Sequence, residues 1–254
     1  MVSIVVSAVG LVFLFAPDLQ PEPEPPGLEL VDFDLDKQKN IQADWTSDGE
    51  KGVMKDWETS LVTVMLRNGG DNPVLVKHAD FRFSSVVEVG CPYGAGGSEV
   101  QARYDIKVPT GAKAPFTRTR KMKYTVPPHK QEQVAFTVGP KSVFAGALPQ
   151  VYTFKITLHL SDGSRIEVPE MTYLDPSNTE TVLESAAAAV KDGERYAFTT
   201  VDCVKQQERK ARKIVQGASH VSPELTQYSA ELTRLVGPSP SGGRLGPNSE
   251  RDNY

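Results

Sequence analysis

Val151-Tyr-Thr-Phe-Lys-Ile-Thr-Leu-His-Leu160 decides the fold by its alternation. Tyr152, Phe154, Ile156, Leu158 and Leu160 fall on one face of an extended chain, and Val151, Thr153, Lys155, Thr157 and His159 on the other. Successive strand side chains point to opposite faces, so this period of two predicts a strand with one buried face. The period recurs elsewhere. Gln101–Val108 turns Ala102, Tyr104, Ile106 and Val108 inward and Gln101, Arg103, Asp105 and Lys107 outward. Lys121–Val126 alternates Met122, Tyr124 and Val126 with Lys121, Lys123 and Thr125, and Gln133–Val138 does the same with Val134, Phe136 and Val138.

Turn chemistry separates these runs. Asn68-Gly-Gly-Asp-Asn-Pro73 stands between Ser60–Arg67 and Val74–Phe83. Ser161-Asp-Gly-Ser164 reads as a short hairpin, because Asp-Gly tolerates the positive φ of such turns. Pro127, Pro128 and Pro169 cannot donate to a strand ladder, so they belong at strand ends, edges or bulges. About eight or nine short strands result between residues 28 and 174, with no helical period among them. Clean alternation gives each strand one buried face, which predicts antiparallel sheets packed face to face as a β-sandwich.

The chain has 254 residues, 28 Lys+Arg against 32 Asp+Glu, and a formal net charge of -4. Its charged fraction of 24% and apolar fraction of 39% fit a folded body and exclude wholesale disorder, a collagen-like repeat and a polytopic membrane protein. Two cysteines exclude a disulfide-dense scaffold and a zinc site built mainly from thiolates.

The stretch Leu61-Val-Thr-Val-Met-Leu-Arg-Asn-Gly-Gly-Asp-Asn-Pro-Val-Leu-Val76 resembles the second and third strands of bacterial immunoglobulin-like domains, where an alternating strand ends in Asn-x-Gly-Asp before the next strand begins. The resemblance implies an immunoglobulin-like sandwich and no particular function. The chain departs from antibody-type domains: Cys91 is the sole cysteine of the body, and Trp45 and Trp57 both lie in its polar early region.

Residues 2–16 contain no charge and are apolar all round. As a helix they reach roughly 22 Å at about 1.5 Å per residue. That is short for a bilayer core of about 30 Å. No basic residue precedes the run, which disfavours a secretory leader. Segment 1–16 is therefore expected to be a single-pass membrane anchor, with a buried core segment as the alternative. Five prolines in the eleven residues 17–27 predict an extended spacer. Orientation is hardly encoded, because the next basic residues are Lys37 and Lys39. The missing leader features favour a cytoplasmic body over an extracellular one.

Residues 175–236 read as a helical extension. Thr179–Val190 is a helix closed by Gly193, and Thr200–Gln216 a second with sparse apolar residues. Ser222-Pro223-Glu224 caps a third, whose stripe is Leu225, Tyr228, Leu232 and Leu235. Residues 237–254 hold four Gly, three Pro and three Ser and are expected to be a disordered tail.

No catalytic constellation stands out, and neither a cofactor nor a metal site is expected. His78, His129, His159 and His220 show no helical ligand spacing and read as surface residues. Cys91, in the glycine-rich loop Cys91–Gly97, has no base beside it in sequence. Cys91 and Cys203 are read as free thiols, with a disulfide between them as the alternative for an extracellular body. Two basic clusters remain, Lys113, Arg118, Arg120, Lys121 and Lys123, and Lys205, Arg209, Lys210, Arg212 and Lys213. Either could touch an anionic surface. Base-stacking motifs are missing, so nucleic acid is disfavoured as a partner. The expected function is a non-catalytic, membrane-tethered module that presents its sandwich to a protein partner. A basic-patch sensor of anionic lipid or nucleic acid, and a hydrolase with a site spread across loops, are the alternatives.

Overall fold

The computed structural model describes residues 27–94 and 96–237. The expected anchor 1–16, all of the spacer 17–27 but its last residue, and all of the tail 237–254 but its first lie outside the described residues. Among the described residues, no helix is long and apolar enough to cross a membrane.

Ten strands occupy Leu28 to Leu174: β1 (Leu28–Ser47), β2 (Glu50–Asn68), β3 (Val74–Glu88), β4 (Glu99–Ala102), β5 (Ile106–Val108), β6 (Phe116–Val126), β7 (Gln131–Pro140), β8 (Val143–Phe144), β9 (Gln150–Leu160) and β10 (Arg165–Leu174). They form a six-stranded sheet in the order β5-β7-β2-β1-β4-β8 and a four-stranded sheet in the order β10-β9-β3-β6. The two sheets face each other over one core. Phe81 of β3 meets Phe136 of β7 edge to face at 5.2 Å, joining the sheets, and Phe83 meets Phe154 at 5.1 Å within the second sheet. All five inward residues of β9 are buried, as their alternation requires.

Three details depart from the expected pattern. β1 and β2 are 20 and 19 residues long, not short, and form one hairpin turned at Asp48-Gly49, both at positive φ. Gln101–Val108 is not one strand. Its four inward residues are buried, but β4 pairs with β1, and the chain then crosses to the other edge, where β5 pairs with β7. That last pair is parallel, so the sheet is not wholly antiparallel. Alternation reports burial on one face and is blind to which neighbour supplies the hydrogen bonds. The crossing is tied by Arg103 N–H donating to Gln42 O at 3.0 Å and by Thr137 N–H and Oγ1 donating to Asp105 Oδ2 at 3.1 and 3.0 Å.

Tyr104, at the crossing, lies flat over Gly139 of β7, and its hydroxyl accepts from Trp57 Nε1 at 2.7 Å. A methyl group on Gly139 would stand 2.3 Å from the ring. Gly139→Ala should therefore cost roughly 1–3 kcal/mol, the usual range for overpacking, because the Trp57 contact pins the ring it would displace. A denaturant midpoint equal to that of the unaltered chain would count against this.

After β10 come α1 (Thr179–Asp192), the short pair β11 (Arg195–Tyr196) and β12 (Thr199–Thr200), α2 (Val201–Gly217) and α3 (Pro223–Val236). Gly193 ends α1 at φ 81°, Thr200 Oγ1 accepts from Cys203 N–H at the start of α2, and Ser222 Oγ accepts from Leu225 N–H at the start of α3. The buried stripe of α2 is Val204, Glu208 and Ala211 rather than its larger apolar residues. Glu208 is held there by Arg212 at 3.3 Å and by Thr233 Oγ1 at 3.2 Å. The helices share a second core with Val89, Val151 and Leu174 and cap one end of the sheets.

Cys91 and Cys203 are not free thiols. They form a disulfide across a sequence separation of 112, joining the loop after β3 to the first turn of α2. The bond removes Cys91 as a nucleophile.

Candidate functional site on the outer face of the four-stranded sheet

The outer face of the four-stranded sheet is built by register. His78 of β3 stands opposite His159 of β9 and Lys121 of β6, and His159 stands opposite Arg165 of β10. Lys121, His78, His159 and Arg165 thus form one row across four strands. Asp80, two residues along β3, lies in the next row between Thr119 and Thr157.

A register shift between Val76 and His78 makes this arrangement possible. Val76 is buried, and so are Ala79, Phe81 and Phe83, so the extra residue Lys77 switches the inward set from even to odd numbers. Without that bulge His78 would face the core; with it, His78 joins Asp80 outside.

The three side chains touch. The His78 and His159 rings stack with centroids 4.1 Å apart and 14° between planes. His159 Nε2 lies 3.0 Å from Asp80 Oδ2, and Thr119 Oγ1 donates to Asp80 Oδ1 at 2.6 Å. A carboxylate only accepts, so with neutral imidazole the His159 proton sits on Nε2. The His159 and Asp80 side chains are 18% and 30% exposed, so His159, although on the outer face, is not freely solvated. One donor atom from each of His78, Asp80 and His159 lies within 4.8 Å of the others, a set able to hold a metal ion. The convergence joins β3 to β9 through sheet register, which helical ligand spacings do not sample.

Beside His78 opens a groove of about 640 Å³ along β3 and β6. Leu75 and Met122 give it an apolar floor, and Lys77, Lys121 and Lys123 surround it. β6 is the last strand of its sheet, pairing only with β3 among the described residues. Of the first basic cluster, Arg118, Arg120, Lys121 and Lys123 lie on this strand, and Lys113 precedes it. Arg120 is engaged by Asp105 at 3.3 Å. The second cluster lies on α2, where Lys210 Nζ donates to Glu88 O at 2.6 Å and Arg212 meets Glu208, while Lys205, Arg209 and Lys213 are exposed. The other two histidines stand apart: His129 is 3.0 Å from Asp71, and His220 Nδ1 is 3.1 Å from Glu170 O.

A second titratable group is fully enclosed. Asp175, between β10 and α1, accepts from Ser177 N–H at 3.0 Å and Ser177 Oγ at 2.7 Å. Burial pushes its carboxyl up to about 6, against the pull of those two hydrogen bonds. Burial, and next the Asp175 charge, hold the Tyr104 and Tyr152 hydroxyls far above their usual range. The Asp175 carboxylate is buried where β10 gives way to α1, and both of its hydrogen bonds come from Ser177.

No protein family and no curated protein matches this chain. Among solved structures, a Northeast Structural Genomics Consortium target is 9% identical over 56% of this chain and 83% of its own, with a TM-score of 0.25. Likeness at that level identifies neither a fold family nor an activity.

Proposed function

We propose that this chain is a non-catalytic interaction module, an immunoglobulin-like sandwich tethered at a membrane by residues 2–16, that takes an extended acidic segment of a protein partner along β6. The carrying observation is the open β6 edge with its lysine-rimmed apolar groove. A sheet edge offers unpaired N–H and C=O groups to a fifth strand, and alternate pockets then read the incoming side chains. Lysines on the same edge repel a second copy of a basic strand, so they protect against self-association while favouring an acidic guest. The step from β2 in one sheet to β3 in the other, through the Asn68–Pro73 turn, supports the immunoglobulin-like reading.

The Cys91–Cys203 bond changes the preferred side of the membrane. Disulfides persist in oxidising compartments and are rare in the cytosol, so the bond supports a body outside rather than in the cytoplasm. Protease added to intact cells should then cleave a carboxyl-terminal tag in the membrane fraction; a protected tag would reverse the assignment.

The partner surface is tested in the same cells. A photoreactive residue in place of Thr117, on the outer side of β6, should give a defined adduct. Lys121→Glu/Lys123→Glu should weaken binding of the captured protein by roughly tenfold or more, with a shallower salt dependence, as loss of complementary charge requires. An adduct equally abundant in the charge-reversed chain would sink the proposal.

A further inference from the structure

We infer that His78, Asp80 and His159 form a binding site for a first-row divalent transition metal, zinc by its donor set. The inference is independent of the partner proposed for β6. Two imidazoles and one carboxylate suit zinc and its neighbours, whereas calcium and magnesium require many oxygen donors. Three protein ligands leave at least one position for water or an incoming group. That position would open towards solvent and the groove, because His78 lines its wall.

Binding requires the imidazoles to turn, because the rings stack at 14° and their in-plane lone pairs run nearly parallel. Donor atoms on a tetrahedral zinc with bonds of about 2.0 Å stand about 3.3 Å apart. Here they already lie within 4.8 Å of one another, on two adjacent strands that fix the Cα positions. Side-chain rotation closes the difference, and the ion replaces the proton now shared between His159 and Asp80. Thr119 supplies what ligand carboxylates ordinarily have, a hydrogen bond that holds the oxygen not bound to metal. It acts through Asp80 and is a positioning residue.

The surrounding charge sets the selectivity. Lys121 and Arg165 flank the histidine pair in its row, and Lys77 and Lys123 rim the adjacent groove. Asp80 is the carboxylate that reaches the pair, since Glu167 in the neighbouring row is 3.4 Å from Lys155. A cation held only by electrostatics would be repelled here. One that forms strong bonds to imidazole nitrogen can remain, and the positive rim disposes the open position to take an anion as its last ligand.

The test is a titration of the full chain, freed of any histidine tag, with zinc chloride alone, followed by calorimetry. One zinc per chain is expected, unaffected by excess magnesium. His78→Ala and His159→Ala should each weaken it more than about tenfold, as removal of one of three ligands demands. Thr119→Val should weaken it about tenfold to a hundredfold, the range for an outer partner of a ligand, with Thr119→Ser restoring it. His129→Ala and His220→Ala should leave it unchanged. On the unaltered chain, the imidazole resonances of His78 and His159 should shift on adding zinc, which needs no variant to fold. Failure of the unaltered chain to bind, unchanged affinity in His78→Ala and His159→Ala, or shifts at His129 and His220 instead would each overturn the assignment.

Discussion

Replacing both Cys91 and Cys203 by serine should lower the stability of this chain by about 4 to 5 kcal/mol, the chain-entropy value for a closed loop of this size. The bond spans 112 residues, so without it the unfolded chain regains a large loop entropy. For a body of this size that amounts to a melting point roughly 10–15 °C lower. The loss should not fall evenly. The bond ties the loop after β3 to α2, and the helices also meet the sheets through an apolar cluster built on Val89, Val151 and Leu174, through Lys210 and Glu88, and through the backbone bond from Ser222 to Thr172. Amide exchange should therefore quicken first in α2 and α3 and last in β9, whose inward face is the centre of the main core. Reductant added to the unaltered chain should reproduce the shift. Equal melting points for the two chains, with and without reductant, would show that the bond does not form.

Much of the architecture was legible because local chemistry and tertiary role agree in it. The alternation of Val151–Leu160 became β9, with Tyr152, Phe154, Ile156, Leu158 and Leu160 buried. Pro169 falls in the register shift of β10, an edge strand, where a missing N–H costs nothing. Ser222-Pro223 opens α3, and Gly193 closes α1. What stayed hidden depends on which strand lies beside which. His78 and His159 are far apart in sequence and meet because β3 and β9 are neighbours and a bulge at Lys77 turns His78 outward. Neither the neighbour nor the bulge leaves a mark in residue spacing. The Cys91–Cys203 pair is hidden for the same reason, since a loop and a helix meet only once the helices have docked. The hairpin of β1 and β2 was different. Asp48-Gly49 is a strong two-residue turn signal, but the polar strands around it bury little, so their alternation is faint.

Asp175→Asn should abolish a loss of stability that the unaltered chain suffers between about pH 4 and pH 6. Burial raises the folded carboxyl from 3.8 to about 6. The folded state therefore holds the Asp175 proton more tightly than the unfolded chain does. Its contribution to stability is fully present below about pH 4 and is lost as pH rises through about 6. A rise of about two units corresponds to roughly 3 kcal/mol at neutral pH. The side chain is fully enclosed, so solvent does not screen it. Asparagine keeps the oxygen that accepts from Ser177 N–H and Oγ and removes the charge, so the variant should be the more stable chain at pH 7 and the two should converge near pH 4. Other carboxylates titrate in the same window in both chains, which is why the difference between the two denaturation profiles is the quantity to measure. Parallel profiles from pH 4 to 7 would mean that the folded carboxyl titrates as it does in the unfolded chain, and that the junction of sheets and helices is open to water.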